Sequence, residues 1–81
     1  MIPLYGFVQG DTMGLVVLAY AGEPIRSVAE RLQSSAAVRV APRSRVRILF
    51  EGEEVDAGRT LESLGARPLD RIDVLDYERG V

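Results

Sequence analysis

A single amphipathic helix set among strands most constrains what this chain can fold into. Apolar residues fall at Ile25, Val28, Ala29, Leu32 and Ala36, spacings of three and four that gather them on one helical stripe. Pro24 suits the first helical position, while Arg26, Glu30, Arg31 and Gln33 point away from the stripe. The spacing predicts a helix over residues 24–35. It should fade around residues 34–37, because Val38-Arg39-Val40 favours extension and Pro42 biases Ala41 away from helix. One helix with one apolar stripe needs a broad apolar surface to lie on, and the rest of the chain must supply it.

The remaining segments read as strands. Residues 3–9 are apolar and aromatic, Gly10-Asp11-Thr12 is a turn signal, and residues 13–20 resume with β-branched side chains, which predicts a hairpin. Leu15 and Val17 fall on one face of its second strand, Val16 and Leu18 on the other. Both faces are apolar, so that strand is either covered twice or meets another protein. Residues 45–50 predict a third strand, with Val46, Ile48 and Phe50 inward and Arg45, Arg47 and Leu49 outward. The stretch FEGEEVDAGRTLESLG, residues 50–65, reads as a strand end, a glycine turn and a short strand. A helical turn follows, capped by Thr60 and stopped by Gly65. Residues 71–77 alternate, with Ile72 and Val74 inward and Asp73, Leu75 and Tyr77 outward; the charged tail beyond Tyr77 is expected to fray. The order is ββαββ with a helical turn before the last strand. That is an α+β, β-grasp arrangement over residues 1–81 as one domain, a mixed sheet of four to five strands with one helix packed across it. Its expected core contains Leu15, Val17, Ile25, Val28, Leu32, Val46, Ile48, Phe50, Leu61, Ile72 and Val74.

The missing residue types limit function. The 81 residues include no histidine, cysteine, lysine, asparagine or tryptophan. The usual zinc ligands and the usual base at neutral pH are therefore absent, and a histidine-containing di-iron site cannot be built from this chain alone. Glu51, Glu53, Glu54 and Asp56 lie in a hydrophilic turn, where carboxylates are solvated. No catalytic, cofactor-binding or metal-binding residue is expected, and no cofactor. No run approaches the roughly 20 apolar residues of a membrane span, and the N-terminal residues lack signal-peptide character, so a cytoplasmic location is expected. Residues 31–50 carry five arginines and no acid, against a net charge of −2 for the chain. Such asymmetry suits an acidic protein partner, or simply a solvated loop and strand edge. Nucleic acid is disfavoured, because lysine is absent and no aromatic interleaves the basic segment.

Two sets of residues resemble known families. Arg47 to Val74, through R-I-L-F-E-G-E-E-V-D-A-G-R-T-L, then L-G and I-D-V, resembles the second half of ubiquitin-like domains. Val28-Ala29-Glu30, Arg39-Val40-Ala41-Pro42-Arg43, Arg45-Val46-Arg47, Gly65 with Pro68, and Ile72-Asp73-Val74 resemble the gamma subunit of bacterial toluene monooxygenases, also called system protein B. That family carries an Asp-Phe pair and a Gln-Leu-Val strand where this chain reads Asp11-Thr12-Met13-Gly14-Leu15-Val16-Val17. The resemblance implies a non-catalytic accessory subunit of a multicomponent di-iron monooxygenase. It would work in a hetero-oligomer by contact with the large hydroxylase subunit, with no nucleic acid and no membrane. The alternative is a free-standing ubiquitin-like interaction module, such as a secretion-system component or scaffold. A conjugated modifier is disfavoured by Arg79-Gly80-Val81 in place of a terminal Gly-Gly. The expected docking residues are Arg43, Arg45, Arg47, Leu49, Asp73, Leu75 and Tyr77, with Arg47, Leu49, Asp73, Leu75 and Tyr77 sharing the sheet face away from the helix.

Overall fold

Strands from distant parts of the sequence lie side by side at the centre of the sheet. The structure, a computed structural model, describes residues 1–77; the expected fraying beyond Tyr77 and the Arg79-Gly80-Val81 sequence lie outside the described residues. Strand β1 (Ile2–Val8) pairs antiparallel with β2 (Leu15–Ala19), forming the expected hairpin. Strand β3 (Val46–Phe50) forms a second hairpin with the three-residue β4 (Glu53–Val55). Strand β5 (Arg71–Asp76) joins the two, parallel to β1 and antiparallel to β3. The sheet order is β2-β1-β5-β3-β4, and helix α1 (Ile25–Ala36) packs on every strand except β4. This is the β-grasp arrangement of one mixed sheet and one crossing helix. The turn between β3 and β4 places Glu51 at φ 50° and Gly52 at φ 85°, the doubly left-handed geometry that closes a two-residue hairpin and favours glycine.

Backbone carbonyls, rather than a capping side chain, finish the start of α1. Pro24 is extended at φ −72° and ψ 149°, one residue before the helix and not at its first position, and it bridges to Thr60. The next two amides donate outward: Ile25 N–H to the Arg59 carbonyl (2.8 Å) and Arg26 N–H to the Ala57 carbonyl (3.1 Å). The loop after β4 thereby satisfies donors that a helix start leaves unpaired. At the other end, residues 38–40 turn instead of extending, because Arg39 and Val40 both donate their amides to the Ala36 carbonyl (2.9 and 2.8 Å). Gln33 also departs from expectation, being buried among the apolar side chains. Its amide group donates to the Arg43 carbonyl (3.0 Å) and its Oε1 accepts from the Arg43 N–H (2.8 Å), so it pairs with one backbone residue as a neighbouring strand would. That satisfied pairing is what permits a glutamine in the core.

The core lies between α1 and the centre of the sheet. Ile25, Val28, Ala29, Leu32 and Ala36 are all buried, against Leu4, Val8, Ile48, Phe50, Ile72 and Val74, with Leu61 closing the end. Leu15, Val17 and Val46 are only half-buried, whereas Leu4, Val8 and Ala19 join the core unanticipated. The sheet order explains the exchange. β1 sits inside the sheet, under the helix, while β2 is an edge strand with one flank uncovered. At the centre Leu32 lies on Gly6: a Cβ at Gly6 would overlap both Leu32 methyl groups and stand 3.0 Å from Cγ.

Two measurements follow from this packing. Leu32→Ala should cost about 2–5 kcal/mol and Gly6→Ala about 1–3 kcal/mol in urea unfolding. Gly6→Ala made in the Leu32→Ala background should cost less than it does alone, because the methyl then enters vacated space. Purely additive costs would place Leu32 elsewhere.

The second measurement concerns acid. The Arg39 guanidinium donates to both Asp11 carboxylate oxygens (2.8 and 3.0 Å) and holds that carboxyl below its ordinary 3.8. Arg31 does the same for Glu23, whose Oε2 also accepts from the Tyr20 N–H (2.7 Å), below an ordinary 4.5. A depressed folded-state pKa stabilises the fold above the unfolded value, and that stability is lost as pH falls through the folded value. The melting temperature should therefore drop between about pH 5 and pH 3, and less steeply for the Asp11→Asn, Glu23→Gln variant. Parallel acid profiles for the two proteins would remove these pairs from the account.

Candidate protein-docking face

Strand alternation gives the sheet a second face, turned away from α1. Tyr5 and Phe7 of β1, Val16 and Leu18 of β2, Leu49 of β3 and Leu75 of β5 all lie on it. The strand registers set them in rows: Val16 beside Tyr5 beside Arg71, and Phe7 beside Asp73 beside Leu49 beside Glu54. Arg47 stands beside Leu75 in a third row. The Tyr5 and Phe7 rings meet edge to face with centroids 4.8 Å apart, and the Arg71 guanidinium lies 4.0 Å above the Phe7 ring. The result is a continuous apolar and aromatic surface with charges set into it.

Exposure is uneven across this face. Val16 and Leu18 are 64% and 52% exposed and Tyr5 is 42%, whereas Leu49 and Leu75 are half-buried. The open apolar centre thus lies toward β1 and β2, not at Leu49 and Leu75. Its signal was already present in the apolar residues on both faces of β2; what sequence could not supply is that β2 is an edge. Tyr5 N–H donates to the Asp70 carbonyl and the Pro3 carbonyl accepts from Leu69, so these β1 groups face β5. Their partners in β2, Val16 and Leu18, must then aim their own backbone groups outward, and the Arg31 guanidinium covers the Leu18 carbonyl (2.9 Å).

The charges on the face are internally matched. Arg71 pairs with Asp73 (3.0 Å) and Arg47 with Glu54 (2.9 Å), and each carboxylate raises its arginine's pKa further above the ordinary value. The other three expected docking residues lie apart. β5 ends at Asp76, so Tyr77 leaves the strand alternation and lines a groove between α1 and β3. Arg45 stacks on it, 4.1 Å from the ring centroid. Arg43 lines the same groove and places Nε 3.3 Å from Asp76. Four of the five arginines in residues 31–50 are therefore ion-paired within the molecule: Arg31 to Glu23, Arg39 to Asp11, Arg43 to Asp76 and Arg47 to Glu54.

No cluster of three or more histidine, cysteine or acidic side chains suited to a metal occurs among the described residues. No helix of the described residues is long and apolar enough to cross a membrane.

No protein-family model and no curated protein sequence matches the chain. Among solved structures, it is similar to a chain of the toluene 4-monooxygenase HD complex with the inhibitor 4-bromobenzoate. That likeness covers 93% of this chain and 98% of the other, at 24% identity and a TM-score of 0.81. The ubiquitin of Caldiarchaeum subterraneum matches over 90% of this chain and 89% of its own, at 18% identity and a TM-score of 0.73. A de novo design based on ubiquitin matches over 90% and 84%, at 18% identity and a TM-score of 0.75. The fold is ubiquitin-like β-grasp.

The uneven exposure predicts unequal costs in the isolated chain. Val16→Asp with Leu18→Asp should cost less than about 1 kcal/mol, because both side chains are open to water. Leu49→Asp with Leu75→Asp should cost at least about 2 kcal/mol, since half-buried leucines give way to charge. Urea unfolding of both double variants checks the ranking, and equal costs would contradict it.

Proposed function

We propose that this chain is a non-catalytic accessory subunit, gamma or system B-like, of a multicomponent di-iron monooxygenase, working in the cytoplasm. It acts by docking on the large hydroxylase subunit. The observation that carries the reading is the structural likeness to a chain from the toluene 4-monooxygenase complex, which extends over nearly the whole of both chains. The outer sheet face adds a physical reason to expect a partner: its open apolar centre at Tyr5, Val16 and Leu18 continues into Leu49 and Leu75. Arg47 and Asp73 are set among these side chains with their charges matched, so a partner can cover the face without supplying counter-charges. A second reading, a free-standing ubiquitin-like interaction module, draws on the likeness to ubiquitin itself. Both readings need the face; they differ in what covers it.

Purification of the native complex separates them. A large subunit bearing paired Glu-x-x-His motifs should co-elute, and the Val16→Asp, Leu18→Asp variant should recover about a tenth as much of it or less, while keeping its circular dichroism. A native chain that elutes without any such subunit would overturn the monooxygenase reading. A folded variant that recovers the partner at wild-type yield would remove this face from the interface.

A further inference from the structure

On the helix side of the sheet, α1 leaves β4 uncovered, and a groove of about 530 Å³ opens between α1 and the start of β3. Ala29 and Val46 are apolar parts of its lining, and three arginines reach it: Arg26 from α1, Arg43 and Arg45 from the chain leading into β3. Arg31, Arg39, Arg47 and Arg71 each hold a carboxylate at 3.0 Å or less. Arg26 and Arg45 hold none among the described residues, and Arg45 instead lies over the Tyr77 ring. Arg43 pairs through Nε with Asp76 at 3.3 Å, yet its Nη1 is buried and has no hydrogen-bond partner among the described residues. A buried guanidinium donor without an acceptor is costly, and guanidinium groups take carboxylates in paired geometry.

We infer that this groove is a second binding site, which takes a short acidic segment of a protein partner. Carboxylates of the segment meet Arg26 and Arg45, and an apolar side chain between them rests on Ala29 and Val46. Glu30, on the same wall, opposes a dense polyanion and so selects carboxylates interspersed with apolar groups over a phosphate backbone. The site is separate from the outer face and does not depend on the hydroxylase reading.

The test uses the purified chain and the acetylated, amidated tetrapeptide Glu-Leu-Asp-Glu, followed by heteronuclear NMR of backbone amides and arginine side chains. Saturable shifts are expected at Arg26, Arg43, Arg45 and Val46, and none at Arg31 or Arg39. The Arg26→Gln, Arg45→Gln variant, whose spectrum elsewhere should be unchanged, is expected to bind about tenfold more weakly or worse. The peptide Lys-Leu-Lys-Lys should cause no shift. Absence of saturable shifts, equal binding by the variant, or equal binding of the lysine peptide would each overturn the proposal. The Val16→Asp, Leu18→Asp variant should still bind the acidic peptide, so that failure here and failure of the outer face remain distinguishable.

Discussion

Leu32 rests on the backbone of Gly6, and the position of α1 follows from that contact. With no side chain at Gly6, the helix approaches the interior strand β1 closely enough for Leu32 to fill the space a Cβ would need. The rest of the stripe then lies across β2, β5 and β3, burying Ile25, Val28, Ala29 and Ala36. Both ends of the helix are held by segments remote in sequence. The Arg59 and Ala57 carbonyls accept the first helical amides, and Leu61 and Glu62 donate back to the Glu23 and Ala21 carbonyls. Gln33 holds Arg43 at the far end. Neither tie is strong alone, since one hydrogen bond contributes about 1 kcal/mol net. Together they orient a helix that has no side-chain cap.

Electrostatics are settled inside the molecule to an unusual degree for so arginine-rich a segment. The residue 31–50 stretch looks like a basic patch when written as a line. Folding brings Asp11, Glu23, Glu54 and Asp76 to it from four separate places, and the patch becomes a set of local pairs. Ion pairs at a protein surface add little stability. Their larger consequence is that, among the described residues, this segment does not present a continuous row of free cations. Among the described residues, Arg26, Arg45, Arg59 and Arg67 hold no carboxylate; of these Arg26 and Arg45 share the groove on the helix side, while the open apolar surface is on the other. The two sides of the sheet thus offer partners different chemistry.

Much of the fold was legible in the sequence because its signals are local. The three-four spacing from Ile25 to Ala36, the alternation of Ile72 and Val74 with Asp73 and Leu75, and the turns at Glu51-Gly52 and Gly65 each report on neighbours within a few residues. The errors were also local readings. Val38-Arg39-Val40 has the composition of a strand, yet its amides close the helix end. Gln33 looks like a surface residue, yet the Arg43 backbone gives it a buried partner. In each case a hydrogen bond invisible to composition decided the outcome.

The sequence by itself determined the order of the main elements, the inward rows of β3 and β5, and the lack of imidazole and thiolate ligands, because periodicity and residue type suffice for these. Only the tertiary structure decided which strands are edges, and from that followed the rest. Placing β1 inside and β2 outside exchanged Leu4 and Val8 for Leu15 and Val17 in the core, and left Val16 and Leu18 open to water. The seven expected docking residues divided for the same reason. Arg47, Leu49, Asp73 and Leu75 remain within paired strands and keep their alternation, whereas Arg43, Arg45 and Tyr77 fall beyond the strand ends, where alternation no longer dictates direction. Side-chain direction in a strand is set by the ladder of hydrogen bonds, and a ladder exists only once distant segments have met.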